Sequence, residues 1–351
     1  MPRNVWRYRL GLAGAVGSVV LGWAYCTWFA GELPKPGGDY RVRHNVTTVG
    51  EQGLQVELHY PDADHGESTQ RFPLVLFAPG WRGHVADQSL FLGELASYGY
   101  VVCGFDDVAY GPEPLAETAE AQALRTSKLD WSTEQRFAAS MHAGDVRVAL
   151  SVQRALAVLE AVEQQAKAGV APFTQVDLSR VGFVGYSFGG AVALETRRAS
   201  SKVMAVVNID GSPFGETMAE GIVPPALVVS SDGAFPSPET RASTHEPTRI
   251  LARWCVKECS KYRERLGDEG FFWYRAHGTR HQELSDQLFF PAWQEAFRHS
   301  WQSRLALRAE LVAVIADFLG TYVAGKRSGA GSARAYERLE LLDKRSKEAN
   351  P

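Results

Sequence analysis

The chain has 351 residues, of which 45% are hydrophobic and 22% are charged, as in an ordinary globular protein. Its formal net charge of −3 argues against a nucleic-acid partner, because nucleic-acid-binding domains usually carry a basic surface. The four cysteines are too few for a disulfide framework, and no CxxC pair with metal-ligand spacing occurs. Cys255 and Cys259 stand at helical i,i+4 spacing, where two free thiols are more common than a bridge, although a bridge stays open.

An uncharged run covers residues 10–31 and follows three arginines among the first nine residues. Its length suits a membrane span of about 20 residues. The arginines before the run and Glu32 after it predict a cytoplasmic N-terminus, with the rest of the chain in the periplasm or outside the cell. Residues 1–31 are therefore expected to be a transmembrane anchor. A cleaved signal sequence is the alternative, although Trp28 and Phe29 make a poor cleavage site.

Changes in composition divide the rest of the chain. Residues 32–39 are rich in proline and glycine and predict a linker, and residues 40–325 are expected to form one large domain. Two segments within it, 106–141 and 234–268, are interpreted as insertions. The first insertion has no clear period, and long insertions of this kind are often lids or binding loops. Residues 326–351 are small, polar and charged, which predicts a solvated tail.

Short apolar runs bounded by turn residues predict strands, and apolar residues at helical spacing predict helices. The predicted strands cover residues 41–49, 54–60, 73–77, 100–105, 180–184, 203–209, 226–229 and 271–275. The predicted helices cover residues 88–98, a segment from about 145 onward, 189–198 and a last helix with its apolar stripe over 311–323. This alternation indicates an α/β protein with a mainly parallel sheet and helices on both faces. In such sheets ligands bind beyond the carboxyl ends of the strands.

A glycine-flanked serine follows one predicted strand and precedes a helix. Residues Gly185-Tyr186-Ser187-Phe188-Gly189 match the nucleophile-elbow pattern G-x-S-x-G, a turn so tight that only glycine fits on either side. The turn holds the serine hydroxyl out of the sheet with a helix N-terminus behind it. The bare pattern arises by chance in roughly one chain in ten of this length. Its position between a strand and a helix makes Ser187 the candidate nucleophile.

A serine nucleophile needs a base that is oriented by a carboxylate, and chains with this elbow place them in the order Ser, Asp or Glu, His. Among the histidines after Ser187, His277 and His281 follow the last predicted strand, where the base is expected. His281 is favoured because His277 lies almost within the strand, but His277 stays open. His245 in a polar loop and His299 in a predicted helix are interpreted as surface residues.

Two aspartates are candidates for the carboxylate. Asp210 follows the predicted strand 203–209, and Asp232 follows the run that begins with the strand 226–229. Both belong to the sheet edge that carries Ser187, because the carboxyl ends of parallel strands meet at one edge. Spacing alone does not choose between them.

No metal ion or cofactor is predicted. The cluster of Asp62, Asp64 and His65 lies in a polar turn, where a solvated loop is a better interpretation than a metal site. Asp106 and Asp107 end a predicted strand near the active edge and are interpreted as cap or turn residues.

Several motifs together resemble those of the platelet-activating-factor acetylhydrolase family and, more broadly, its chlorophyllase and dienelactone-hydrolase relatives. The resemblance runs in patches between residues 70 and 290 and leaves out both insertions. The serine elbow is shared by many esterases, whereas I-D-G and G-T-x-H-Q are narrower motifs. The matching motifs are L-V-L-F-A-P-G at 74–80, A-S-Y-G-Y-V-V at 96–102, D-L-S-R-V-G-F-V-G-Y-S-F-G-G at 177–190, I-D-G at 209–211 and G-T-R-H-Q at 278–282.

The resemblance implies an α/β-hydrolase fold and hydrolysis of a carboxylic ester, short-acyl or lipid-like, through an acyl-serine intermediate. In that family the acid follows the strand after the elbow and the base precedes a glutamine, which implies Asp210 and His281. Other acyl-transfer hydrolases with the same three residues stay open: a polyester or dienelactone hydrolase, a thioesterase or a peptidase. A catalytically inactive, membrane-tethered binding protein stays open as well.

The chain departs from that family after the first core strand, where Pro79-Gly80 replaces the usual His-Gly. Proline has no N–H and cannot donate a hydrogen bond to an oxyanion. The resemblance therefore assigns the oxyanion hole to the backbone amides of Trp81 and Phe188. The departure also alters the expected shape of the acyl pocket.

Overall fold

A computed structural model describes residues 31–62, 70–110, 127–290, 298–326 and 336–344, which form a nine-stranded sheet with helices on both faces. The strands are β1 (Val42–Val49), β2 (Leu54–Pro61), β3 (Phe72–Ala78), β4 (Val101–Gly104), β5 (Val176–Tyr186), β6 (Val203–Ile209), β7 (Ala226–Ser231), β8 (Phe271–Ala276) and β9 (Leu339–Leu341). The α-helices are α1 (Ser89–Ser97), α2 (Glu134–Lys167), α3 (Phe188–Ala199), α4 (Glu216–Glu220), α5 (Pro238–Arg241), α6 (Glu246–Arg265) and α7 (Trp301–Tyr322).

The centre of the sheet is parallel and its edges are antiparallel. The strand order is β1-β2-β4-β3-β5-β6-β7-β8-β9, and every pair from β4 to β8 is parallel. The predicted hairpin of β1 and β2 adds antiparallel strands at one edge, and β9 adds another at the opposite edge. The parallel centre gives β3, β5, β6 and β8 a common carboxyl edge, as the sequence predicts.

Two apolar cores lie on the two faces of the sheet. The side chains of β3 alternate between them, with Leu74 and Leu76 in one core and Val75 and Phe77 in the other. Helices α2, α3 and α6 cover the first face, and α1 and α7 cover the second. Burial on both faces explains why these strands read as continuous apolar runs.

The first predicted insertion ends earlier than its proposed bounds of 106–141. Helix α2 begins at Glu134, with Thr133 as its N-cap accepting a hydrogen bond from the Arg136 amide. The helical period is visible in the sequence only from about residue 145, because the first turns of α2 are mostly exposed and carry no apolar stripe. Residues 111–126 of the insertion lie outside the described residues.

The second predicted insertion, 234–268, contains α5 and α6. Helix α6 contributes Cys259 and Tyr262 to the core on its face of the sheet. The segment is therefore part of the helical layer. Cys255 and Cys259 are both buried in α6 as free thiols.

The prediction that residues 326–351 form only a solvated tail is wrong. Residues Leu339–Leu341 form β9, which pairs with β8, and the Leu339 side chain is buried. The Leu342 amide also donates to the carbonyl of Trp273, at 2.8 Å. A strand of three residues is too short to produce a recognisable alternation among charged neighbours.

The predicted membrane anchor or signal sequence covers residues 1–31, of which the first thirty lie outside the described residues. Within the ranges that the structure describes, no helix combines the length and the apolar character needed to cross a bilayer.

Candidate active site

The predicted elbow lies between β5 and α3. Ser187 has a φ of 55° and a ψ of −126°, a strained conformation for a residue with a side chain. A Cβ at Gly185 would lie 1.9 Å from the carbonyl oxygen of Gly189, and a Cβ at Gly189 would lie 2.0 Å from that of Ala78. Both positions therefore require glycine. The Ser187 amide donates to the Ile209 carbonyl at 2.8 Å, which fixes the elbow to the neighbouring strand.

The side chains of Ser187, His281 and Asp210 form one hydrogen-bonded line. The His281 Nε2 lies 2.9 Å from the Ser187 Oγ, and its Nδ1 lies 2.8 Å from the Asp210 Oδ2. The Asp210 side chain is 7% exposed, whereas that of His281 is 39% exposed. The structure thus brings together three predicted residues from the ends of three different strands. With a proton on Nδ1, the Nε2 lone pair faces the serine hydroxyl.

His281 is held in place by Tyr186 and by Asp210. The ring of Tyr186 stacks on the imidazole with 5.1 Å between centroids, and the Tyr186 hydroxyl donates to the His281 carbonyl at 3.1 Å. The amide of Ser231 donates to the other Asp210 oxygen at 2.6 Å, so both carboxylate oxygens are engaged. Each contact restricts how far the imidazole can rotate away from Ser187.

The alternative residues Asp232 and His277 follow β7 and β8, respectively, and make contacts with residues other than Ser187, Asp210 and His281. Asp232 pairs with the Arg275 Nε at 2.7 Å and accepts from the Gly278 amide at 2.6 Å. The His277 Nε2 lies 2.7 Å from the Glu340 Oε2. Asp232 therefore supports the start of the loop that leads to His281, and His277 connects that loop to β9.

Backbone amides beside Ser187 are free to bind an anion. A Cβ at Gly80 would lie 3.2 Å from the Ser187 Cβ, so the backbone just before Trp81 approaches the serine closely. Phe188 is the first residue of α3, where a helix leaves its amides without an internal partner. Neither the Trp81 amide nor the Phe188 amide donates a hydrogen bond within the described part of the chain.

A buried ion pair lies behind Trp81 and Phe188. The Arg147 guanidinium stacks over the Trp81 ring at 4.6 Å and lies 5.9 Å from the Phe188 ring. Arg147 is fully buried and pairs with Asp107, which is also buried. The Trp81 indole donates to the Ser127 carbonyl at 2.9 Å, so the first insertion reaches this side of the site. The ion pair and the indole contact together fix the loop that carries the Trp81 amide.

A second buried network lies behind Asp210. Burial raises the pKa of the Glu258 carboxyl to about 8, and the nearby negative charge of Asp210 adds to that effect. Glu258 accepts a hydrogen bond from the Ser212 hydroxyl at 2.8 Å, and its other oxygen lies 3.2 Å from the Tyr262 hydroxyl. That hydroxyl donates to the Gly211 carbonyl at 2.7 Å. A protonated Glu258 can therefore donate to Tyr262, which in turn donates to the residue after Asp210.

An apolar cavity of about 400 Å³ lies next to Trp81 and Phe188. Its wall residue Phe214 packs against Phe188, with 5.6 Å between ring centroids, and against Trp81 at 6.4 Å. Most of the lining is aromatic or aliphatic, with three charged residues. The lining includes Phe137, Met141, Asp145, Phe214, Met218, Ile250, Arg253, Trp254 and Lys257. We refer to this space as the Phe214 cavity.

Sequence reasoning missed Arg147, Glu258 and Tyr186 as parts of the site. Glu258 had a detectable signal, because it shares one helical face with Cys255, Cys259 and Tyr262, where a charged residue is out of place. The sequence signal for Arg147 was weak, because a charged residue is common in its charge-rich helix.

No protein-family model and no curated protein matches this chain. Among solved structures it is similar to a ferulic acid esterase from Streptomyces cinnamoneus, with a TM-score of 0.56 and 18% identity. The match covers 90% of this chain and 98% of that chain. At this identity the likeness concerns the fold alone. The mainly parallel sheet with helices on both faces is consistent with the α/β-hydrolase fold, whereas the narrower resemblance to platelet-activating-factor acetylhydrolases stays a prediction.

Proposed function

We propose that the protein hydrolyses a carboxylic ester through an acyl-serine intermediate. The observation that carries the proposal is the hydrogen-bonded line from Ser187 through His281 to Asp210 at the carboxyl edge of the sheet. In this proposal Ser187 is the nucleophile, His281 the general base and Asp210 the residue that orients the base.

The first half of the reaction forms the acyl-enzyme. The Ser187 Oγ attacks the ester carbonyl carbon while the His281 Nε2 accepts the hydroxyl proton. The carbonyl oxygen becomes an oxyanion, which the Trp81 and Phe188 amides stabilise by donating hydrogen bonds. The tetrahedral intermediate then collapses, the bond to the alkoxy oxygen breaks, and the His281 imidazolium gives its proton to the leaving alcohol.

The second half repeats these steps with water. His281 removes a proton from the water as it attacks the acyl carbon, and the same amides stabilise the second oxyanion. The Ser187 Oγ then leaves and takes the proton back from His281. One ester and one water are consumed, and the products are one alcohol, one carboxylic acid and the free enzyme.

The Phe214 cavity supports an ester with an apolar acyl group as the substrate. Its lining is mainly aromatic and aliphatic, and Phe214 joins it to the proposed oxyanion residues. A cavity of about 400 Å³ falls in the size range of small-molecule pockets. The proposal is therefore a short-acyl or lipid-like ester, as the family resemblance implies.

The proposed location rests on the sequence alone. The uncharged run over residues 10–31 and the arginines before it predict a membrane anchor with the catalytic domain outside the cytoplasm. Alkaline carbonate extraction with N-terminal sequencing tests this proposal. A mature chain that starts near residue 27–32 indicates a cleaved signal sequence instead.

A fluorophosphonate probe and a panel of chromogenic esters test the proposed chemistry. The wild type should react with the probe at Ser187 and hydrolyse esters, and Ser187→Ala should lose both properties with its fold intact. Removing a serine nucleophile typically reduces kcat about a million-fold. Ser260→Ala is the matched control, because the Ser260 hydroxyl only donates to a carbonyl within α6.

The outcomes also separate the alternatives. A Ser187→Ala variant within tenfold of wild-type activity would rule out the mechanism. An unlabelled and inactive wild type would favour the binding-protein alternative. Labelling of Ser187 together with faster turnover of thioesters or peptides than of oxygen esters would assign the same site to a thioesterase or a peptidase.

A further inference from the structure

A cluster of two histidines and a glutamate lies at the antiparallel edge of the sheet, on β1 and β2. His44 and His59 are directly opposite each other in the β1–β2 pairing. Glu57 precedes His59 by two residues on β2, so its side chain points to the same face of the sheet as the two histidines. None of the three residues belongs to the candidate active site.

The imidazole nitrogens of both histidines lie close to one carboxylate oxygen of Glu57. The His44 Nε2 lies 3.0 Å from the Glu57 Oε1, and the His59 Nε2 lies 2.8 Å from the same oxygen. One nitrogen or oxygen atom from each of the three side chains falls within 4.8 Å of the others. The two imidazole rings are 4.6 Å apart between centroids.

Two residues of the cluster are buried, and the third is partly exposed to solvent. Glu57 and His59 are each 5% exposed, whereas half of the His44 side chain is exposed. The Ser89 hydroxyl donates to the Glu57 Oε1 at 3.0 Å, which helps to fix the carboxylate. Glu57 and His59 are therefore fixed by their burial, whereas the cluster is accessible from solvent beside His44.

We propose that His44, Glu57 and His59 bind one zinc-class divalent metal ion. Two imidazole nitrogens and one carboxylate oxygen are a ligand set that zinc uses, with bond lengths of about 2.0–2.2 Å. Ligands at such distances from one tetrahedral ion lie roughly 3.3–3.6 Å apart. The two nitrogen–oxygen separations of 3.0 and 2.8 Å therefore need to open by roughly 0.3–0.8 Å. Hard cations such as Ca²⁺ prefer oxygen ligands and suit this set poorly.

The site joins the edge strand β1 to its neighbour β2. β1 has β2 as its neighbour and forms the edge in the strand order. A metal ion bound to His44 on β1 and to Glu57 and His59 on β2 cross-links the hairpin. Binding to the folded state stabilises that state. The expected role is therefore structural, and it does not depend on the proposed esterase reaction.

Zinc titration of the purified full chain tests the proposal after treatment with EDTA and removal of the chelator. We expect one equivalent of Zn²⁺ to bind in competition with a chromogenic chelator and to raise the unfolding temperature, whereas Ca²⁺ does neither. Co²⁺ should give visible d–d absorption bands, which report coordination by nitrogen and oxygen directly. Ester hydrolysis, measured in parallel, should stay unchanged when Zn²⁺ is added at one equivalent.

Variants distinguish a metal site from a purely hydrogen-bonded cluster. His44→Ala removes an exposed ligand and should weaken Zn²⁺ binding at least about tenfold. Glu57→Gln should do the same. Circular dichroism of both variants without added metal checks that they still fold. His245→Ala is the matched control, because His245 is an exposed histidine whose ring bonds only to Thr248. No binding at 100-fold excess Zn²⁺, or binding that His44→Ala leaves unchanged, would overturn the proposal.

Discussion

Asp210 reaches His281 from a backbone conformation that aspartate seldom adopts. Its φ is 54°, in the left-handed region, and its Oδ2 lies 2.8 Å from the His281 Nδ1. The Asp210 amide donates to the Val229 carbonyl at 2.7 Å, and the Ser231 amide donates to the side chain. The backbone of β7 therefore holds Asp210 in this conformation from both sides. Strain of this kind, of order 1–3 kcal/mol, is typical of functional sites.

The first prediction concerns the two candidate acids. Asp210→Asn should reduce kcat by about ten-thousand-fold, because an amide cannot hold the His281 tautomer that leaves Nε2 free to accept a proton. Asp232→Asn should cost far less, since Asp232 contacts Arg275 and the Gly278 amide instead of His281. The measurement is kcat for a chromogenic ester, with circular dichroism as the check on folding. A greater loss in Asp232→Asn would move the acid to the end of β7.

The second prediction concerns the buried pair of Arg147 and Asp107. Arg147→Met should lower the free energy of unfolding by about 3–5 kcal/mol, because it leaves the Asp107 carboxylate buried without a counter-charge. The double variant Arg147→Met/Asp107→Asn removes that charge and keeps an acceptor for the Ala109 amide. It should recover most of the stability, as measured by urea unfolding.

The same double variant tests whether Arg147 positions the oxyanion hole. The guanidinium stacks on Trp81, so its loss should let the Trp81 loop move and reduce kcat while KM changes little. A double variant that regains stability and also keeps its full kcat would limit Arg147 to a structural role.

The third prediction concerns pH and Glu258. Its pKa is raised from 4.5 to about 8 in the folded protein by burial and by the charge of Asp210. The folded state therefore holds a proton that the unfolded state releases above pH 4.5. The contribution to stability is fully present below that pH and is lost as the pH rises through about 8.

Urea unfolding between pH 5 and pH 8 measures this contribution. Stability should fall with rising pH by at most about 1.4 kcal/mol per unit from this one group. Glu258→Gln cannot ionise, so its slope should be shallower than that of the wild type by a similar amount. Equal slopes in the two proteins would mean that Glu258 has no raised pKa in the folded state.

The sequence predicts the centre of the fold well, and three of the candidate site residues that it selects lie within hydrogen-bond distance in the structure. The bounds predicted for β6 are the observed ones, because every residue of the strand except Asn208 is apolar and every residue except Met204 is buried. Ser187 and His281 are found from a local motif and from chain order, and the resemblance selects Asp210. All three follow strand ends, which a strand prediction can locate.

Other features depend on contacts between distant segments, which a single sequence does not reveal. Arg147 pairs with a residue 40 positions away, and Glu258 bonds to one 46 positions away. The strand β9 contains three residues and is defined by its pairing with β8. The cluster proposed as a metal site is hidden from sequence reasoning for the same reason, since His44 meets Glu57 and His59 only once the hairpin forms.

The last prediction concerns the Phe214 cavity and the acyl group. Met218 on α4 lines the cavity beside Phe214, and Phe137 in the first turn of α2 lines it as well. Met218→Trp should fill part of the space and exclude long acyl chains, while short chains still fit. We expect kcat/KM for a long-acyl ester to fall at least tenfold relative to a short-acyl ester, which corresponds to about 1.4 kcal/mol.

Two further variants complete this test. Phe137→Ala should shift the preference in the opposite direction, because it enlarges the same cavity from the α2 side. Met204→Trp is the matched control, since Met204 is an exposed methionine on β6 that does not line the cavity. The panel keeps one chromogenic leaving group and varies only the acyl chain, so a change in the ratio reports acyl binding. An unchanged ratio in a folded, active Met218→Trp variant would mean that the acyl group binds elsewhere and that the Phe214 cavity has no part in acyl selection.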